Sequence, residues 1–266
     1  MAESVQSGLI KAGQVARDAI VRKAPNGVSY AAYGDNNLPE QELERMVQAV
    51  PVSIAGALVR KTYFFVPLAL SDRRTTDPSG QRNSDATVIA PVYSAEFGDQ
   101  AICHRNVTLD DTDGIFISTR LLGDRFALAF EFFINVAHAF VDNAGVPASF
   151  GELVWTQAIA DVRGETSQDS WESRRLSLIP GDKAEKIDGQ PRIDEKAKSD
   201  FIEAAFSDAV AIYQLSLSVD FDYSELRERE YPLLAPQPLA ERLRHVAKLF
   251  PPNPTYEFAI RYRRRA

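Results

Sequence analysis

The sequence predicts an α+β fold: a small, mostly antiparallel sheet from the N-terminal half plus the C-terminal strand, packed on a C-terminal helical layer. Three observations predict it. Short runs of β-branched and aromatic residues, punctuated by glycine, proline and aspartate, fill the chain up to about residue 121. Longer apolar segments at helical spacing follow, from Asp124 to Phe250. The chain then closes on Tyr256 to Arg263, where Tyr256, Phe258, Ile260 and Tyr262 alternate with Glu257, Arg261 and Arg263. That alternation is the pattern of a half-buried strand. A last strand returning to the sheet makes one domain of residues 1–266.

Taken in order, Leu9, Ile10, Val15, Ala16, Ala19 and Ile20 predict a first helix over Val5–Arg22, ended by Pro25-Asn26-Gly27. Val28–Tyr33 reads as a short strand and Gly34-Asp35-Asn36-Asn37 as a turn. Pro39 opens a second helix with Glu40 and Glu42 in its first turn, where the helix dipole favours acids; Pro51 stops it. Lys61–Leu70 reads as a strand in which Pro67 marks an edge or a bulge. Ser71–Asp85 is polar and is expected to be a mobile loop. Thr87–Ala90 is a strand, and Gln100–Leu109 with Ile115–Leu121 form a hairpin around Asp110 to Gly114.

The helical half begins with the apolar stretch from Asp124, capped by Gly145. A second helix starts at Ser149 as N-cap, with Glu152 three residues on in capping-box spacing. An amphipathic piece follows at Ser167–Arg175, then a loop over Ile179–Asp194. Long helices are expected over Glu195–Val219 and Leu239–Phe250.

Composition narrows the function classes. Hydrophobic residues make up 45% of the 266, enough for a substantial core. The net charge of −7 disfavours nucleic acid and anionic membrane as partners. The single cysteine allows no intrachain disulfide, and with no signal-type N-terminus or long apolar run a cytoplasmic location without membrane contact is expected. No glycine-rich phosphate loop, nucleophile elbow or two-histidine zinc helix is present. Cys103 and His104 are adjacent in a strand and point apart, so Cys103 reads as a buried inert cysteine. Asp110, Asp111 and Asp113 open like a calcium loop, but Ile115 stands where that loop needs glycine.

One pattern carries chemistry. Glu131, Asn135, His138 and Asp142 recur at steps of four, three and four within the apolar 126–141 stretch. They share one face of a helix. Polar groups buried there need partners, and Glu203 on the long helix is the candidate from across the layer. The simplest reading is a buried hydrogen-bond network with His138 as a core histidine. The expected function is then a non-catalytic interaction or structural protein of a cytoplasmic assembly, with protein as its partner. Two alternatives use the same residues: a metal-dependent hydrolase centred on Glu131, His138 and Asp142, or a small-ligand binding module. The pattern specifies no cofactor and no particular metal.

Overall fold

The computed structural model describes residues 8–71, 87–109, 112–178, 193–226 and 231–261. It has an α+β fold with two sheets. The chain divides into two compact units, 1–135 and 136–266. Helix α5, Arg125–Ala144, runs from one into the other. Among the described residues no helix is long and apolar enough to cross a membrane.

The first unit holds all nine strands of the described residues. β2 (Arg22–Lys23), β3 (Ser29–Ala32), β4 (Lys61–Val66), β9 (Asp113–Ser118) and β8 (His104–Thr108) form a mixed sheet in the order β2-β3-β4-β9-β8. Its central ladders, β3 with β4 and β4 with β9, are parallel. The other ladders of both sheets are antiparallel, so the mostly antiparallel expectation holds outside that centre. β4 is buried from Thr62 to Val66, as a central parallel strand covered on both faces must be. Tyr63 and Phe65 pack on Phe132 of α5. Phe64 stacks on Phe116 at 4.7 Å, in a cluster with Ala12 and Val15 of α1 (Ala12–Asp18).

The second sheet has the order β1-β6-β5-β7, made of Ile10–Lys11, Thr87–Ala90, Leu68–Ser71 and Ala101–Ile102. The predicted strand Lys61–Leu70 is two strands. Pro67 lacks an N–H for a ladder, and here the chain leaves one sheet for the other. Buried Ser118 stitches this corner: its Oγ accepts from Ala69 N–H at 2.8 Å and donates to Ile102 O at 2.5 Å.

Other expectations are redrawn. The first helix is confined to α1, because Ile10–Lys11 pairs with β6 instead. α2 (Glu40–Gln48) has the predicted acidic first turn, and Asn26 donates to the Val47 and Val50 carbonyls that its end leaves open. β8 and β9 are the predicted hairpin, but Gly114 belongs to the strand, opposite Val107. A Cβ there would meet Leu109 and the Phe64 and Phe116 rings at 3.0–3.2 Å, so it is the aromatic stack that Gly114 accommodates. The mobility expected for Ser71–Asp85 lies outside the described residues beyond Ser71, the last residue of β5.

The second unit is built from the end of α5, α6 (Ala148–Ile159), α7 (Gln168–Ser177), α8 (Glu195–Ser218) and α9 (Pro236–Leu249). Phe140, Phe150, Phe206 and Phe250 form its aromatic centre. Asp194 caps α8 by accepting from Lys196 and Ala197 N–H at 3.0 Å. The predicted last strand is not one: residues 251–261 join no sheet. Tyr256, Phe258 and Ile260 are half-buried and the residues between them exposed, and Phe258 meets the edge of Tyr213 at 5.2 Å. Alternation reports an extended chain with one covered face, and a helix covers this one.

Candidate functional site

The predicted stripe is the solvent face of α5. Its neighbours Phe132, Phe133, Val136, Ala137 and Phe140 are buried, whereas His138 and Asp142 are exposed. His138 is therefore not a core histidine. A helix covered on most sides still has one narrow wet face, and its polar residues collect there. Asn135 is the buried member; its Nδ2 donates to Glu131 O at 2.8 Å and to Glu131 Oε1 at 3.3 Å. Glu131 in turn holds Nδ1 of His104 at 2.5 Å. In the second unit Asp142 and Glu203, both exposed, border a cavity of about 520 Å³ with Ser199 and Ile202. The structure thus joins Glu131 with Asn135 and Asp142 with Glu203, and gathers no set of three. Among the described residues no group of three or more His, Cys, Asp or Glu side chains is placed to hold a metal ion.

Cys103 is exposed rather than buried. Partial burial and the Glu131 carboxylate push its thiol pKa up, so it stays protonated at neutral pH and is a poor nucleophile. Ser149 does not cap α6. Pro147 holds that position, and the Ser149 hydroxyl lies 3.0 Å from Nε2 of His245. Among the described residues no carboxylate orients the other ring nitrogen, so the contact lacks the third member of a catalytic triad.

The largest polar assembly of the second unit went unpredicted. Glu165 and Arg242 are fully buried and Arg174 nearly so. Arg242 donates Nη1 to Glu165 Oε2 at 2.8 Å, Nη2 to Oε1 at 3.3 Å, and Nε to Gln157 Oε1 at 2.8 Å. Arg174 adds Nη1 to Glu165 Oε1 at 3.1 Å and to the Val162 and Gly164 carbonyls at 2.6 and 3.1 Å. Gly164, at φ +83°, lets the 231–235 segment press close; a Cβ would sit 2.1 Å from Leu233 O. One signal was present. Leu239, Leu243 and Val246 define the apolar face of α9, and Arg242 stands on it. A guanidinium at a core position requires a buried acid.

Asp208 is a second buried acid. Burial raises its pKa, against hydrogen bonds from Ser167, Thr166 and Ser170 and the charge of His138. Thr166 Oγ1 donates to it at 2.7 Å.

Beside the Glu165 assembly lies an open depression of about 710 Å³. Trp171, Leu176, Leu178 and Val162 give it an apolar lining, and Arg163, Arg174 and Arg175 a cationic one. Its acids have local partners: Asp161 lies 3.8 Å from Arg174, and Glu172 accepts from Gln168. Arg174 is engaged by Glu165 and backbone carbonyls. Arg163 and Arg175 are exposed, and among the described residues their guanidinium groups have no hydrogen-bond or ion-pair partner. Leu176 is 64% exposed, and Ile159, at the end of α6, 61%. Comparison of the chain with protein families, with curated proteins and with solved structures found no match.

Proposed function

We propose that this protein is a non-catalytic interaction protein of the cytoplasm, whose second unit holds a partner protein at the Trp171 depression. The observation that carries the reading is that open depression, with apolar side chains and two unpaired arginines around one indole. Interface centres are enriched in aromatic residues and arginine, and indole with guanidinium is the commonest hot-spot chemistry. The polar groups with precise geometry in this unit, Glu165, Arg174, Arg242 and Gln157, satisfy one another and hold shape. The net charge of −7 favours protein over nucleic acid as partner.

The test is site-specific photo-crosslinking in cells. A photoreactive residue at Leu176 should give a discrete crosslinked species, and one at the equally exposed Val59 of the first unit should not. Equal crosslinking from both positions, or from neither, would overturn the reading.

A further inference from the structure

We infer that the Trp171 depression takes an acidic segment of the partner, one that sets an apolar side chain against Trp171 and Leu176 and a carboxylate on Arg163 and Arg175. This rests on the interaction reading above and specifies the chemistry of its partner.

Charge complementarity commits the occupant. In a chain of net charge −7, two cations without a described partner beside one indole are a local exception. The nearby carboxylates of Asp161 and Glu172 are already met by Arg174 and Gln168, so they do not answer Arg163 and Arg175. The guanidinium fork suits a carboxylate, to which it can donate two parallel hydrogen bonds, and it is weakly hydrated for a cation. Beside them, Trp171 is half-buried and Leu176 mostly exposed, an apolar surface that a purely ionic ligand would leave uncovered. An acidic segment with an interleaved leucine-like side chain satisfies both. The floor is fixed, because Arg174 is locked onto Glu165 and the Val162 and Gly164 carbonyls, so the lining need not reorganise on binding.

The chain has two tryptophans, Trp155 and Trp171. The full-length W155F protein therefore reports on the depression alone. It would be titrated with a blocked peptide alternating glutamate and leucine, and with the same peptide carrying lysine for glutamate. The glutamate peptide should shift Trp171 emission saturably, the lysine peptide should not, and the R163E/R175E variant should weaken the response by about tenfold or more. R163Q/R175Q, with circular dichroism on both variants, separates lost charge from lost fold. No saturable shift, an equal response to the lysine peptide, or indifference to both double variants would overturn the inference. Crosslinking at Leu176 separates the two ideas. A crosslink that persists unchanged in R163E/R175E keeps the interaction reading and removes the acidic segment. Absence of the crosslink in the wild-type background removes the interaction reading itself.

Discussion

Glu165 and Arg242 meet as a fully buried two-point ion pair, with Arg174 on the same carboxylate and Gln157 on the arginine Nε. α9 supplies Arg242, and α7 supplies Arg174. Glu165 is held by Pro232 O, which accepts from its N–H, and by Leu234 N–H, which donates to its carbonyl. One carboxylate therefore ties two helices and the 232–234 segment together.

Removing one partner leaves a charge buried with nothing to answer it. Glu165→Gln or Arg242→Met should each destabilise by about 3–5 kcal/mol, whereas replacing the whole cluster with apolar residues of similar volume should cost less. Urea unfolding of the single and combined variants measures this. A single substitution costing under about 1 kcal/mol would show that the pair is not buried in solution.

Asp208 predicts a pH dependence with a definite sign. Its pKa is raised in the folded state, so the native protein holds this proton at a pH where the unfolded chain has released it. The contribution is fully present below the unfolded value, near pH 4, and is lost as pH rises through the folded value. The stability of wild type relative to Asp208→Asn should therefore fall as pH is raised above about 4. A difference that stays flat, or grows with pH, would refute the raised value.

Tyr63 carries the opposite kind of lesson. Its side chain is fully buried on β4 and its hydroxyl has no hydrogen-bond partner, and burial pushes the phenol pKa far up. Tyr63→Phe keeps the ring against Phe132 and removes the unsatisfied group. It should be neutral or stabilise by roughly 1–2 kcal/mol. A loss of more than about 1 kcal/mol in thermal unfolding would mean that the hydroxyl has a partner in solution, such as a bound water.

The α5 stripe should divide in two. Exposed His138 replaced by alanine should change stability by no more than about 0.5 kcal/mol. Asn135→Ala removes a buried amide that bonds Glu131 and should cost about 1–3 kcal/mol. The reverse order in denaturant melts would restore a core role for His138.

By itself the sequence determined the α+β class, the course of α2, α5 and α8, and the β8–β9 hairpin. Each is a local matter: period 3.6 or 2, a proline at a start or stop, an acid in a first turn. Gly145 ends α5 at φ +70° as its position after the apolar run implies. Period alone does not say what covers a face. The alternation of Tyr256 to Arg261 was read as a ladder, yet Phe258 lies on Tyr213 of α8. The stripe from Glu131 to Asp142 was read as buried, yet its periodicity is equally that of a solvent strip, and burial of the surrounding aromatics decides between them. Tertiary structure alone settled the rest. Glu165, Arg174 and Arg242 are 9 to 77 residues apart in the chain, and no local pattern links an acid in a turn to arginines on two later helices. Pro67 marked an interruption, but only the two sheets on either side of it show that the chain turns a corner there. Pairing of distant charges and the covering of helix faces depend on chain closure, which packing fixes and spacing does not record.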